Sequence, residues 1–456
     1  MVLQANAQSV MPTTPLPTKE QLQWHEKEFY LFVHFGPNTF TDKEWGDGKE
    51  DPSVFNPTAL DCEQWARIAK QAGAKGIILT AKHHDGFSLW PSKYSTHTVR
   101  ESKWMDGQGD VVKALSEACK KIGIEMGVYI SPWDRNHPAY GTPAYNDIYI
   151  STMKELLTQY GKFFELWWDG ANGEGPNGKK QVYDFHRFQD SALKWQPQLV
   201  IFSDIGPHIR WCGNENGFIG NTNWNLLDTA GFQRGHGAPP TDTLNQGNHW
   251  GKNWIPAEAD VSIRPGWFYH AKEDEKVKSP ETLFNLYLRS VGNGGNLLLN
   301  VPPDRTGRFN AVDSAALVGF RKLREVAFAN DLMKKAKVYA GSSTKPIVSL
   351  TDNSDQTWWR SSQKENTQLI IRFDQRTKLN TVVLQEMIAY GQRVEDFTIE
   401  AHDGKDYHTV FTGTTIGRKK IAVFDMQETK LLRITITHSK AAPVMKNLAV
   451  YFTGKH

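Results

Sequence analysis

The chain has 456 residues, and its 53 Lys and Arg nearly balance its 50 Asp and Glu, which leaves a formal net charge of +3. This near neutrality argues against nucleic acid or an anionic membrane surface as the partner, because both attract strongly basic proteins. Three cysteines are too few for a disulfide framework, and no apolar run approaches the roughly 20 residues that cross a bilayer. The length predicts a large α/β domain with a smaller module.

Residues 1–20 form a lead segment that contains Ala5-Asn6-Ala7, the small-residue pattern that ends a secretory signal. We therefore expect an exported protein, periplasmic or extracellular.

From residue 21 to about 335, apolar runs alternate with amphipathic helical patterns, as expected for βαβ units around a parallel sheet. The predicted strands lie in 29–36, 75–82, 123–130, 164–168, 199–203, 218–222, 259–264 and 295–301. The predicted helices cover 62–72, 110–121, 148–159, 181–194 and 311–329. Eight such strands in about 300 residues predict a (β/α)₈ TIM-like barrel.

The pattern changes in the last part of the chain. From 338 to 456, short β-branched runs separated by turns predict an all-β sandwich of discoidin-like, jelly-roll type.

Polar and aromatic residues follow the predicted barrel strands, at the end where barrel enzymes carry their chemistry. They are His34, Glu44, Trp45, His83, His84, Tyr129 and Asp169. A metal site is not predicted, because adjacent His83 and His84 point to opposite sides of a strand and no HExxH spacing is present. Neutral imidazoles and an indole around a carboxylate are instead suited to binding hydroxyl groups, and no cofactor is predicted.

Four stretches resemble the signature sequences of the α-L-fucosidases of glycoside hydrolase family 29. They are Phe-Val-His-Phe-Gly at 32–36, Lys-His-His-Asp-Gly-Phe at 82–87, Leu-Trp-Trp-Asp-Gly at 166–170 and Gly-Gly-Asn-Leu-Leu-Leu-Asn-Val at 294–301. The resemblance implies that Asp169 is the nucleophile of a retaining reaction. It also implies that His34, Glu44, Trp45, His83, His84 and Trp167 bind fucose.

A retaining glycosidase needs a second carboxyl group, about 5 to 5.5 Å from the nucleophile, as its acid and base. The sequence offers Glu215 and Glu258, both in the long loops after predicted strand five. The Gly-Asn-Glu-Asn-Gly context of Glu215 resembles the acid/base site of the family branch that acts on α-1,3 and α-1,4 fucosides, so Glu215 is favoured. Trp267 is expected to form an apolar wall for the fucose methyl group, with Arg264 anchoring its loop. Tyr129, Arg264 and Trp267 are all counted among the expected substrate-binding residues.

These observations predict a retaining exo-α-L-fucosidase that removes α-1,3- or α-1,4-linked fucose from glycans. One alternative is a broader fucosidase that also cuts α-1,2 linkages and uses Glu258 as its acid. The other is a lectin-like protein that binds fucose without turnover. In each case the expected ligands are fucosylated oligosaccharides or glycoconjugates, without nucleic acid or a membrane span.

Overall fold

The computed structural model describes residues 10–234, 237–352 and 354–454. Eight parallel strands close into a barrel in chain order, which confirms the predicted fold class. They are β1 (Phe29–Val33), β2 (Gly76–Lys82), β3 (Glu125–Ile130), β4 (Glu165–Trp167), β5 (Val200–Ser203), β6 (Ile209–Trp211), β7 (Ala257–Ser262) and β8 (Asn296–Asn300).

The helices of the described residues lie mainly around this barrel. They are α1 (Lys19–His25), α2 (Pro37–Thr41), α3 (Cys62–Ala72), α4 (Val111–Ile122), α5 (Ala144–Gln159), α6 (Phe185–Trp195), α7 (Thr241–Gln246), α8 (Pro280–Ser290) and α9 (Ala311–Ala327). The sequence sets their ends: the Asp61 side chain accepts a hydrogen bond from the backbone of Gln64 at the start of α3, and Gly73, at a φ of 78°, ends it.

Alternation along the strands separates two apolar layers. Leu31 and Leu79 pack outwards against the helices, whereas Phe32 and Ile78 fill the barrel interior together with Trp167. Side chains two residues apart on a strand share a face. A polar residue that lies two positions after the last interior residue of a strand therefore points into the carboxyl-terminal mouth of the barrel.

The sixth strand is not where the sequence predicted it. The structure places β6 at Ile209–Trp211 rather than within 218–222, and only residues 204–208 connect it to β5. Two parallel strands are usually joined by a connection of a dozen or more residues that contains a helix, and this connection contains none. A search for strands that alternate with helices therefore passed over β6. A short antiparallel pair, Leu226–Leu227 with Asn253–Trp254, lies in the long loop that follows β6.

The second unit is an antiparallel sheet of seven strands. They are β9 (Ala336–Ala340), β10 (Trp359–Arg360), β11 (Thr367–Glu386), β12 (Val394–His402), β13 (Tyr407–Gly413), β14 (Lys420–Ser439) and β15 (Val444–Tyr451). The paired strands β11 and β14 each run for 20 residues and change register along their length. Residues from both halves of β11, such as Ile371 and Leu384, therefore meet in one core separate from that of the barrel.

The β-sandwich is attached to the barrel by buried polar contacts. The Gln392 side chain accepts a hydrogen bond of 2.8 Å from the Asn225 backbone and donates one of 2.8 Å to the Asn223 carbonyl. Lys420 Nζ donates to the Asn221 carbonyl and to Asn293 Oδ1, both at 2.8 Å. Among the described residues, no helix has the length and apolar character needed to span a membrane.

Candidate active site

The mouth of the barrel contains a pocket of about 170 Å³. Its wall brings together side chains from six of the eight strands or the loops that follow them. They are Phe32, His34, Glu44, Trp45, His83, His84, Tyr129, Trp167, Asp169, Ala171, Glu215, Asp260 and Trp267.

Asp169 lies two residues beyond the end of β4, on the same face as Trp167 and therefore at the top of the barrel interior. Its Oδ2 atom accepts a hydrogen bond of 3.0 Å from the Tyr129 hydroxyl and lies 3.7 Å from His84 Nε2. Its Oδ1 atom accepts one of 2.7 Å from the backbone of Ala171. With 24% of its side chain exposed, the carboxylate is held firmly and remains open to the pocket.

Three histidines line the same pocket and are neutral near pH 7. Burial lowers the pKa of His34 to about 3 and lowers those of His83 and His84 as well. Asn300 Oδ1 bonds His34 Nδ1 at 2.8 Å, and Ser131 Oγ bonds His84 Nδ1 at 2.7 Å. The rings of His34 and His84 thus have one nitrogen fixed by the protein and the other available to bind a hydroxyl group, whereas His83 Nδ1 has no hydrogen-bond partner among the described residues.

The loop after β1 contributes Glu44 and Trp45. Glu44 accepts hydrogen bonds from the backbone of Trp267 at 2.8 Å and of Phe268 at 3.2 Å, and it bonds His270 Nε2 at 2.6 Å. It therefore joins its own loop to the loop after β7. Trp45 is 54% exposed and closes the pocket at the rim, with its ring edge-on to His84.

Glu215 approaches the pocket from the loop after β6. It is exposed, and Trp267 Nε1 donates a hydrogen bond of 3.2 Å to its Oε2 atom. The loop is fastened by Asn245, whose side chain donates to the carbonyls of Cys212 at 2.9 Å and Phe218 at 3.1 Å. Asp169 and Glu215 are thus two of the four carboxyl groups that line the pocket, with Glu44 and Asp260. Glycosidases use a pair of such groups.

Comparison with known proteins agrees with this geometry. Residues 19–322 match the sequence model of the family described as Alpha-L-fucosidase. The chain is 40% identical to Alpha-L-fucosidase 1 of Arabidopsis thaliana over 451 residues, which covers 96% of this chain and 88% of the relative. It belongs to the α-L-fucosidases of glycoside hydrolase family 29.

Solved structures extend the likeness of this fucosidase to the whole chain. The crystal structure of a putative α-L-fucosidase from Bacteroides thetaiotaomicron superposes with a TM-score of 0.91 at 35% identity, covering 97% of this chain and 99% of that one. The family 29 fucosidase of Ruminococcus gnavus in complex with fucose gives a TM-score of 0.90 at 28% identity, with coverages of 100% and 98%. Fucosylated glycans are accordingly the substrates of the fucosidase.

Glu258, the alternative acid, is absent from the pocket wall. It is fully buried in the barrel interior, where Oε1 accepts a hydrogen bond of 2.8 Å from Trp167 Nε1 and Oε2 accepts one from the Tyr30 hydroxyl. Glu258 lies two residues before Asp260 on β7, so it occupies the interior layer below the mouth. Glu258 therefore cannot reach a leaving oxygen in the pocket unless the side chains above it move.

Arg264 also lies outside the pocket, which corrects its prediction as a substrate-binding residue of the fucosidase. Its side chain is fully buried, with Nε 3.0 Å from Asp313 Oδ2 and Nη1 2.8 Å from Asp274 Oδ1. Arg264 therefore anchors the loop that carries Trp267, the part of the prediction that agrees with its position.

Two carboxyl groups near the pocket were not predicted. Asp260 lines the pocket and accepts a hydrogen bond of 2.9 Å from Trp211 Nε1, and burial raises its pKa well above the usual range. Asp204 follows β5, and burial with the neighbouring charge of Asp169 raises its pKa to about 6. The one signal for Asp260 in the sequence was its position two residues after Glu258, which puts both side chains on the same face of β7.

Proposed function

We propose that this fucosidase is a retaining exo-enzyme that releases α-1,3- or α-1,4-linked fucose, with Asp169 as nucleophile and Glu215 as acid and base. The observation that carries this proposal is that these two carboxyl groups line one pocket, whereas Glu258 is enclosed in the barrel interior. Family membership favours turnover over the lectin alternative.

The first step breaks the glycosidic bond. An Asp169 oxygen attacks the anomeric carbon while the Glu215 carboxyl gives its proton to the leaving glycosidic oxygen. The hydrogen bonds from Tyr129 and Ala171 orient the Asp169 carboxylate for this attack. The products are a β-fucosyl ester on Asp169 and a free alcohol on the remaining glycan.

The second step releases fucose. Glu215, now ionised, takes a proton from water as the water oxygen attacks the anomeric carbon, and the bond to Asp169 breaks. Two inversions give net retention. During both steps, the free nitrogens of the neutral histidines bind the sugar hydroxyls, while Phe32, Trp167 and Trp267 offer the apolar surface that a methyl group needs.

Azide rescue tests the two roles separately. Asp169→Gly should abolish hydrolysis of an aryl α-L-fucoside, and added azide should restore turnover with β-fucosyl azide as the product. Glu215→Ala with azide should instead give α-fucosyl azide, because azide then attacks the covalent intermediate. Asp204→Gly is the matched control, since that carboxyl group neighbours Asp169 and is absent from the pocket wall. Hydrolysis by Asp169→Gly without azide contradicts the nucleophile assignment.

The linkage preference is supported by the sequence around Glu215, which resembles the branch acting on α-1,3 and α-1,4 fucosides. Initial rates on a Lewis-type trisaccharide, an α-1,2-fucosylated trisaccharide and an aryl fucoside test it. Comparable rates on the two trisaccharides would favour the broader fucosidase.

Export remains a prediction. It rests on Ala5-Asn6-Ala7, which lie outside the described residues. Fractionation of cells that express the natural gene, with fucosidase activity as the marker, tests it.

A further inference from the structure

A pair of carboxyl groups lies in the interior of the barrel, directly below the pocket. Glu165 on β4 and Glu258 on β7 are both fully buried, as are Tyr30 and Trp24. Trp24 Nε1 donates to Glu165 Oε2 at 3.0 Å and to the Tyr30 hydroxyl at 2.8 Å, and that hydroxyl donates to Glu258. Neither acid takes part in the catalytic steps above, so another role must account for two buried acids in a layer that is largely aromatic.

Burial raises the pKa of Glu258 to about 7. Burial and the neighbouring charge of Glu258 raise the pKa of Glu165 well above its usual range. Glu165 Oε1 has no hydrogen-bond partner among the described residues, and Oε2 accepts from Trp24. Glu258 accepts from two donors: the Tyr30 hydroxyl bonds Oε2, and Trp167 Nε1 bonds Oε1.

Trp167 connects this pair to the pocket. Its ring is stacked on Phe202, with centroids 4.0 Å apart and planes at 10°, and on Tyr129, with centroids 5.3 Å apart and planes at 28°. Stacking holds the tilt of an indole but lets it slide and turn in its own plane, and the bond from Nε1 to Glu258 removes that freedom. Tyr129 in turn donates to Asp169, so the position of Trp167 affects both the pocket wall and the nucleophile.

We propose that Glu258 is a positioning residue that fixes the indole of Trp167 in the wall of the fucose pocket. This inference rests on the proposed function, because it takes that pocket as the place where fucose binds. It gives Glu258 a role in the same reaction that requires no contact with the substrate.

The two acids make a matched pair of substitutions. In Glu165→Gln, the side-chain oxygen still accepts from Trp24, and the bond from Trp167 to Glu258 is untouched. In Glu258→Gln, one of two converging donors, the Tyr30 hydroxyl or Trp167 Nε1, meets an NH₂ group. We expect kcat/KM for an aryl α-L-fucoside to stay within about twofold in Glu165→Gln and to fall roughly 10- to 100-fold in Glu258→Gln.

A double-mutant cycle separates positioning from a merely structural role. In the background of Trp167→Phe, which has no N–H, Glu258→Gln should cost less than about threefold in kcat/KM, because the bond that it breaks is already gone. All variants are assayed as folded protein, checked by circular dichroism and well below the unfolding temperature. A loss of stability alone does not change the cycle under these conditions.

Two results would overturn the proposal. One is a loss of more than about tenfold in folded Glu165→Gln, and the other is an equal cost of Glu258→Gln in both backgrounds. If Glu258→Gln does not fold, Glu258→Asp takes its place in the cycle, because its shorter side chain also withdraws the acceptor from Trp167 Nε1. Failure of the proposed function shows elsewhere, in the azide rescue of Asp169→Gly.

Discussion

Replacing Arg264 by Leu should destabilise the protein strongly at neutral pH. Arg264 and Asp313 have side chains with no exposed surface, and their Nε and Oδ2 atoms are 3.0 Å apart. The second partner, Asp274, is 37% exposed and can be solvated when the guanidinium is removed. The cost therefore falls on Asp313, which becomes a buried carboxylate without its counter-charge.

Breaking a buried pair in this way costs about 3 to 5 kcal/mol in unfolding free energy. The cost depends on pH. Burial already raises the pKa of Asp313 to about 6 with Arg264 present, and loss of the positive charge raises it further. A carboxyl group whose pKa is higher in the folded than in the unfolded state destabilises the fold when it is ionised, and this penalty disappears as pH falls and the group takes up a proton. The loss of unfolding free energy in Arg264→Leu should therefore shrink from about pH 8 to pH 5.

Urea denaturation followed by tryptophan fluorescence measures this deficit at each pH. Arg321→Leu on α9 is the control: its pair with Glu325 is exposed by 41% and 61%, and its loss should cost less than about 1 kcal/mol. Arg264→Leu combined with Asp313→Leu should recover most of the loss, because two apolar side chains replace the pair. If Arg264→Leu costs no more than Arg321→Leu, and the double variant is no more stable than the single one, the reasoning about buried charge is wrong.

Two further substitutions test the loops around the mouth. In Gly170→Ala, the added Cβ would overlap the Asp204 carboxylate. The turn beside Asp169 should then be displaced, and kcat/KM for an aryl fucoside should fall by about tenfold. An unchanged kcat/KM would show that Asp204 moves aside freely. His270 lies between Asp42 and Glu44, whose hydrogen bonds raise its pKa despite an opposing effect of burial. A histidine whose pKa is raised in the folded state stabilises the fold at low pH, and this stabilisation is lost as pH rises through the pKa of the folded state. Urea denaturation at several values between about pH 6 and pH 8 should therefore show the wild type losing stability relative to His270→Gln. Parallel stability curves would contradict this.

The barrel was predictable wherever strand patterns alternate with helix patterns along the sequence. Helix α3 was predicted with its observed limits, and the structure shows Asp61 and Gly73 at its two ends. The prediction failed at β6, whose three residues follow β5 through a connection too short to contain a helix. Nothing in a local pattern indicates that a parallel strand can return within so few residues.

Most side chains of the pocket were also predictable, because they follow strands whose direction was known. The exceptions show what local sequence lacks. Glu258 and Arg264 are buried beside the site rather than in its wall, and each is held by a partner distant in the chain. Their orientation depends on Trp167 on another strand and Asp313 on a later helix, and it appears only when the barrel closes.

The long loop after β6 has a consequence for how such an enzyme can change. Asp169 is fixed by the frame of the barrel, since β4 pairs with β3 and β5 on either side. Glu215 instead lies on a long loop fastened by a few amide side chains such as that of Asn245. Insertions or exchanges in residues 212–256 can therefore move Glu215, the proposed proton donor, and reshape the space beyond the pocket while Asp169 stays in place. Libraries that seek new glycan preferences should be concentrated in that loop.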